Sequence, residues 1–376
     1  MKVLMLSKAC YVAAYRRKLE ELAGLGVDLT LVAPPYWRTG RRKLAFEPAN
    51  DTGYHTVLQN PLLNGSFHGH FYPRLPTLIH NLHPDLVHID EEPYDLVTFH
   101  AMRAAIASRA KALFFTWQNI SRSYPLPFSF FEKETLRHAH GAIAGSRDAA
   151  AVLREKGYRR PLYVVPQFGV DPELFPARLP DGIAAFTQDR PFRIGFSGRL
   201  VEEKGLLVLL WALRGLEGAW ELRLLGDGPL HERLVTEAAV LGIADRVRFL
   251  GNVPSGEVAA QLRQFDVLVN PSLTWRHGRS QWKEQFGRSL IEAMASGVPV
   301  LGSDSGEIPH VLGDAGLIVP EGDPDRLQAQ LQRLMHAPDL RQDLGVAGRA
   351  RVLCQYTQRA VAAQTYAVYR HLLGQA

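Results

Sequence analysis

Phe192-Arg193-Ile194-Gly195-Phe196-Ser197, followed by Gly198-Arg199-Leu200-Val201-Glu202-Glu203-Lys204-Gly205, decides the fold. Six largely apolar residues lead into a glycine-bounded loop carrying two cations and two carboxylates. Leu206–Leu213 then restarts an apolar run long enough for a helix. Strand, loop and helix follow one another within about two dozen residues, the spacing of a parallel βα unit.

The same unit repeats outward in both directions. Downstream, strands are expected at Glu221–Leu225, Val247–Leu250, Val267–Asn270, Val298–Leu301 and Leu317–Val319. Helices are expected at Leu230–Ala239, Val258–Phe265 and Leu290–Ala295, and the last sixty residues read as helical. Upstream, strands are expected at Val3–Leu6, Leu29–Ala33, Asp85–Asp90, Ala112–Thr116, Gly141–Gly145 and Leu162–Val165. Helical text at Tyr15–Ala23, Leu96–Arg109, Phe131–His138 and Asp148–Glu155 lies between them. Near-continuous apolar strands separated by helices indicate parallel sheets covered on both faces. Prolines at 166, 172, 176, 180 and 191 interrupt the rhythm and read as a linker. The expected organisation is an α/β chain of two doubly wound, Rossmann-like domains facing across a cleft. Residues 1–170 form the first and 191–354 the second. Residues 171–190 link them, and 355–376 form a terminal helix returning toward the first domain.

The 376 residues suit two domains, and 46% hydrophobic with 22% charged residues exclude a disordered chain or a fibre. Two cysteines, Cys10 and Cys354, exclude a disulfide framework. The net charge of +5 sits in the first half. Residues 1–187 hold 22 basic and 17 acidic residues, whereas the remainder holds 21 of each. Such asymmetry suits an anionic partner on the first half or is ordinary scatter. The apolar start, Met1–Leu6, is too short for a signal peptide, and no run approaches a membrane span. The expected location is cytoplasmic.

Doubly wound sheets bind ligands in the loops after their strands. In the loop at 198–205, Gly198 permits close backbone approach, Arg199 offers a planar fork for phosphate oxygens and Lys204 a point charge. The following helix start favours an anion. This pattern fits a diphosphate, or equally a solvated turn in which Arg199 and Lys204 pair with Glu202 and Glu203. Leu224-Leu225-Gly226-Asp227-Gly228-Pro229 is a second turn of either kind. Glu284 and Glu292, eight residues apart, can share a helix face if one helix spans both, although Phe286-Gly287 suggests a helix starting after Glu284. A carboxylate there can accept hydroxyl hydrogen bonds from a sugar or ribose.

Taken together, Gly198–Gly205, Leu225–Gly228, Val269-Asn270-Pro271-Ser272 and, above all, Glu284-Gln285-Phe286-Gly287-Arg288-Ser289-Leu290-Ile291-Glu292-Ala293-Met294-Ala295-Ser296-Gly297-Val298-Pro299-Val300 resemble the retaining glycosyltransferases of family 4, of GT-B fold. The resemblance is close over about 190–320 and extends to the amino half in rhythm. It implies a sugar transferred from a nucleotide-diphosphate sugar to a hydroxyl of a carbohydrate, lipid-linked or small-molecule acceptor with its anomeric configuration kept, and no metal or other cofactor. It also implies that Arg199, Lys204 and Glu284 are catalytic, with the two cations on the diphosphate. Gly198, Val253, Phe286, Gly287, Leu290 and Glu292 would bind the donor, with Val253 near the base and Glu292 on the ribose. Gln118, in Phe115-Thr116-Trp117-Gln118-Asn119, takes the place of a histidine that relatives direct at the donor sugar. The loop Ser7-Lys8-Ala9-Cys10-Tyr11 lacks the paired glycines of many relatives. Asp323-Pro324-Asp325 looks like a metal-binding motif but is placed to cap a helix.

Lys8, Tyr11, Glu91, Glu92 and Tyr94 are candidate acceptor contacts. The alternatives are a solvated Lys8 and acidic residues placed at a helix start. Arg16-Arg17-Lys18 and Arg38, Arg41, Arg42 and Lys43, with nearby aromatic text, suit an anionic membrane face or a lipid-phosphate acceptor. The basic loop Thr274–Trp282, with Arg276, His277, Arg279 and Lys283, reads as a cover for the donor or as a solvated loop. Other readings are a sugar-nucleotide epimerase or phosphorylase-like enzyme, or a basic nucleic-acid-binding protein. The latter lacks a recognisable binding module.

Overall fold

A computed structural model describes residues 1–49, 51–178, 186–277 and 280–375. Arg279 lies outside them. The chain divides into unit 1, Met1–Gly169 with Gln358–Ala376, and unit 2, Val170–Thr357.

Unit 1 runs β1 (Lys2–Leu6), α1 (Arg17–Gly24), β2 (Asp28–Ala33), β3 (Tyr36–Thr39), β4 (Arg42–Ala45), β5 (His55–Leu58), α2 (Leu75–Leu82), β6 (Leu86–Ile89), α3 (Leu96–Ala107), β7 (Lys111–Thr116), α4 (Phe128–His138), β8 (Gly141–Ala144), α5 (Arg147–Glu155) and β9 (Leu162–Val164). Seven strands pair in the order β5-β2-β1-β6-β7-β8-β9, all parallel. Side chains alternate along each strand, so the sheet builds two cores. Leu4, Leu6, Val87, Ile89 and Phe114 pack on one face with Ile79 of α2 and Val97 of α3. Val3, Met5, Leu29, Leu31 and Leu113 pack on the other with Leu19 and Leu22 of α1.

Unit 2 runs β10 (Phe192–Ser197), α6 (Leu206–Arg214), β11 (Trp220–Leu225), α7 (His231–Val240), β12 (Val247–Gly251), α8 (Ser255–Leu262), β13 (Val267–Asn270), β14 (Trp275–His277), β15 (Ser280–Trp282), α9 (Arg288–Ala295), β16 (Val300–Ser303), α10 (Ile308–Leu312), β17 (Leu317–Val319), α11 (Pro324–His336) and α12 (Pro338–Gln355). Its sheet is parallel in the order β12-β11-β10-β13-β16-β17. The last helix, α13 (Gln358–Leu373), belongs to unit 1, where Val361, Ala362, Val368 and Tyr369 complete the second core.

Both sheets reverse direction beside their first strand. The chain adds strands on one side of β1 and then crosses to β6. It does the same from β10 to β13. The loops after these four strands are the expected ligand positions of such sheets.

The structure adds two short segments to the expected elements and changes two local expectations. Residues 36–45 form an antiparallel hairpin and 55–58 an edge strand, short exposed segments that leave a weak apolar pattern. Residues 171–178 are not free linker, because Arg178 N donates to Ser296 O at 2.9 Å and the Phe175 carbonyl accepts from Arg349. Arg16 and Lys18 do not form a solvated basic face. Arg16, 1% exposed, bonds Asp51 and the carbonyls of Cys10 and Glu47. Lys18, 3% exposed, donates to Gln167 O at 2.8 Å. Only Arg17 of that triplet is exposed, and it pairs with Glu20 of its own helix.

Tyr369 tests the place of α13. It is fully buried, and its hydroxyl lies 2.7 Å from Nδ1 of buried His88. Tyr369→Ala removes a large core side chain and strands that imidazole. Calorimetry is expected to show unit 1 destabilised by about 3–5 kcal/mol. A loss below about 1 kcal/mol would mean that α13 is peripheral to the unit.

Candidate active site

In unit 2, β10 ends at Ser197 and the chain turns through Gly198. The amide of Gly198 donates to Leu225 O at 2.9 Å, and that of Leu200 to Asp227 O at 3.0 Å. The expected diphosphate loop and second glycine turn are thus bonded side by side. Gly205 closes the loop and starts α6 with φ +67°, and a Cβ there would lie 1.9 Å from Pro271 O. Only glycine tolerates both the conformation and the contact. The 198–205 loop is thereby set against the loop after β13.

That contact serves an ion pair. Lys204 Nζ donates to Glu284 Oε2 at 2.5 Å. Glu284 is 5% exposed. Ser272 Oγ lies 2.8 Å from the same carboxylate oxygen and 2.7 Å from Asn270 Oδ1. Ser303 Oγ in turn donates to Ser272 O at 2.5 Å. The Lys204 ammonium also stands 4.9 Å from the ring centre of Trp282, within cation–π range. Trp282 belongs to the β14–β15 hairpin, so the loop expected as cover or solvated surface is ordered at this end. The reading in which Lys204 pairs with Glu202 or Glu203 does not hold. Arg199 is exposed and has no hydrogen-bond or ion-pair partner among the described residues.

Glu284 precedes its helix: Gly287 is the N-cap of α9. Backbone, not helix spacing, therefore places the carboxylate. Its carbonyl accepts from Glu307 N at 3.2 Å, and Gly306, at φ +56°, passes so close that a Cβ would lie 2.0 Å from that oxygen. Phe286 is buried with its ring edge-on to Tyr356 at 5.7 Å, and Leu290 is fully buried in α9. Glu292 lies one turn beyond Arg288, at 3.4 Å. Burial pushes its carboxyl up, and Arg288 opposes this. Val253 is half-buried between β12 and α8. Asp323 accepts from Arg326 N at 2.9 Å, the geometry of a helix cap.

In unit 1 the loops after β1 and β6 meet. Glu91 receives the Lys8 amide at 2.7 Å and pairs with the Lys8 ammonium. Burial would lower the Lys8 pKa, but Glu91, then Asp95 and Glu92, raise it. Lys8 is thus a half-buried partner of Glu91 and not a solvated side chain. Glu92 accepts from Thr116 Oγ1 at 2.6 Å and from Trp117 N at 2.8 Å. Burial pushes its carboxyl to about 7, against those two hydrogen bonds. Tyr94 stacks on Tyr124 at 4.1 Å. Gln118 is held at both ends, donating to Tyr124 OH at 3.1 Å and accepting from Lys156 Nζ at 2.9 Å. Tyr11 sits half-buried in a 3-10 turn. Sequence reasoning missed His68, whose Nδ1 lies 2.7 Å from buried Asp95. The hydrogen bond to Asp95 raises the imidazole pKa. The 27-residue separation of this pair leaves no local pattern, and the one hint in the sequence is that nine of the fourteen histidines lie within residues 1–187.

The comparisons with known proteins agree with this layout. "Glycosyltransferase Family 4" matches residues 16–174 and "Glycosyl transferases group 1" matches 184–351. The chain belongs to the group 1, family 4 glycosyltransferases. Among similar proteins, the amylovoran biosynthesis glycosyltransferase AmsK of Erwinia amylovora is 34% identical over 199 residues, covering 52% of this chain and 47% of that protein. The MMP alpha-(1->4)-mannosyltransferase of Mycolicibacterium hassiacum is 36% identical over 217 residues, covering 55% and 48%. The chain thus spans about half the length of the curated relatives it matches. Sucrose-phosphate synthase of Thermosynechococcus elongatus superposes with a TM-score of 0.71 at 21% identity, over 100% of both chains. Anabaena HepE in complex with UDP gives 0.72 at 17%, over 99% of this chain and 100% of that one. These structures place the family member in the GT-B fold class.

Two predictions follow from burial in this glycosyltransferase fold. Lys204→Ala leaves the Glu284 charge buried without its cation. Urea unfolding is expected to show a loss of about 3–5 kcal/mol, recovered in part by adding Glu284→Gln. Equal stability of Lys204→Ala and wild type would mean that the pair is not formed in solution. For Glu92, a folded pKa raised from 4.5 to about 7 makes its contribution to stability full below pH 4.5 and lost as pH rises to 7. The loss is on the order of 3 kcal/mol. Glu92→Gln is expected to flatten the stability curve over that window, and an unchanged slope would contradict the assignment.

Proposed function

We propose that this chain is a retaining glycosyltransferase moving a sugar from a nucleotide-diphosphate sugar to an acceptor hydroxyl without a metal ion. The observation carrying this reading is the division of labour at the switch point of unit 2. Lys204 is fixed against Trp282 and against a Glu284 carboxylate that Ser272 also bonds, while Arg199 stands uncommitted five residues before it. Breaking the sugar–phosphate bond leaves negative charge on the diphosphate. A cation held in place beforehand stabilises that charge without reorganising, and a free guanidinium can close bidentately on the phosphate oxygens. The α6 and α9 starts add favourable fields for the same anion. Glu292, kept in place by Arg288, binds ribose hydroxyls, and the backbone around Phe286 and Gly287 meets the donor.

The acceptor belongs to unit 1, where Lys8, Glu91 and the stacked Tyr94–Tyr124 pair offer polar contacts beside an aromatic face for a sugar ring. Contact with an anionic membrane face rests on the β3–β4 hairpin, whose Arg38, Arg41, Arg42 and Lys43 are all exposed, and no longer on Arg16 and Lys18. No helix among the described residues is long and apolar enough to cross a membrane.

A thermal-shift screen of nucleotide-sugars is the first test. A donor at 100 times its dissociation constant stabilises by about 2.7 kcal/mol. With that donor, Arg199→Ala is expected to fold normally and turn over roughly 10²–10³ times more slowly. Product anomers read by NMR test retention, and activity after chelation tests metal independence. Wild-type turnover in Arg199→Ala would remove its assigned role.

A further inference from the structure

A cavity of about 490 Å³ opens in unit 1 between α4 and the segment after α5, and none of the candidate acceptor contacts Lys8, Tyr11, Glu91, Glu92 and Tyr94 is among its lining residues. Its lining includes Lys133, Arg137, Lys156, Arg159 and Arg160 against a single carboxylate, Glu132. That carboxylate is already engaged by Lys156 at 2.5 Å. Arg159 donates one guanidinium hydrogen bond to Arg154 O at 2.9 Å. The side chains of Lys133, Arg137 and Arg160 are exposed and have no hydrogen-bond or ion-pair partner among the described residues. Three uncompensated cations around one concavity repel each other, and a concave surface of one sign concentrates counter-ions. Two of the three are arginines, whose planar forks match phosphate oxygens.

We propose that this cavity is an anion site for a phosphate ester or diphosphate, separate from the diphosphate site of unit 2. Its occupant meets Lys133, Arg137 and Arg160 directly. It also competes with Glu132 for Lys156, whose ammonium holds Gln118 at 2.9 Å. Occupancy is thereby connected to the loop after β7. Two sources share this chemistry, a soluble sugar phosphate and a lipid phosphate headgroup. Leu126 and Phe130, 78% and 48% exposed at the start of α4, provide apolar contact for the second. The inference does not depend on the proposed transferase activity.

The test titrates the full chain with inorganic pyrophosphate at low salt, where surface charge is least screened. Calorimetry is expected to resolve two sites. Lys133→Gln/Arg137→Gln/Arg160→Gln weakens one at least tenfold and spares the other. Arg199→Ala does the reverse, so failure of the unit 2 reading and failure of this proposal give different results. A folded triple variant with the stoichiometry and affinity of wild type overturns the proposal. So does a wild-type protein whose pyrophosphate binding is lost entirely in Arg199→Ala. Co-sedimentation with phosphatidylcholine vesicles, with and without phosphatidic acid, separates the sources. Phosphatidate-dependent binding, weakened by the triple variant and by Leu126→Ser/Phe130→Ser, assigns a lipid headgroup. Pyrophosphate binding without vesicle binding assigns a soluble phosphate ester.

Discussion

The ion pair between Lys204 and Glu284 is the constraint on which the rest of unit 2 depends. Both charges are largely withdrawn from water, and neither could be kept there alone. Their meeting requires residues 80 positions apart to be delivered to one point, so the backbone around them is fixed on both sides. Gly205 lets the first loop touch Pro271, and Gly306 lets a third segment pass against the Glu284 carbonyl. Ser272, seated by Ser303, supplies a further hydrogen bond to the same carboxylate. Replacing any of these small residues would move a charge before it changed any chemistry. The pair therefore accounts for glycines and serines that have no reactive role of their own.

Unit 1 uses the corresponding switch point differently. There the charges come from adjacent loops, Lys8 after β1 and Glu91 and Glu92 after β6, and all are satisfied within the protein. Asp90 lies deeper still, accepting from Ser7 Oγ and Gln167 Nε2. The Lys8 ammonium is therefore already paired inside the protein. The guanidinium groups of Arg199 in unit 2 and of Arg137 and Arg160 in unit 1, by contrast, are exposed and have no hydrogen-bond or ion-pair partner among the described residues.

The strand rhythm of both sheets was legible because buried parallel strands read as unbroken apolar runs, and Phe192–Ser197, Val267–Asn270 and Leu317–Val319 fall where the pattern places them. The hairpin at 36–45 was not, since exposed, cation-bearing strands lack the alternation that reports a buried face. Arg199, Lys204, Glu284 and Glu292 could be named because they sit at fixed offsets from glycines that end strands. The partners of those residues could not. Ser272 and Trp282 lie far from Lys204 in sequence, and nothing local distinguishes a lysine that will bond Glu284 from one that bonds a neighbouring Glu203. His68 escaped for the same reason, its carboxylate being supplied by the start of a helix 27 residues later.

Net charge shows how little a sum reveals without burial. The first half carries all the excess, yet Arg16 and Lys18, its most conspicuous basic text, work inside the protein as tethers for carbonyls. Removing them from the surface does not remove the asymmetry. It moves it to the β3–β4 hairpin and to the cavity beside α4, where cations outnumber carboxylates. A buried arginine answers to the groups that surround it, whereas an exposed one with no carboxylate in reach is free for an anion that comes from outside. By that criterion the functional charge of the chain is its unpaired guanidinium and ammonium groups, and their positions, not their number, decide what each unit can hold.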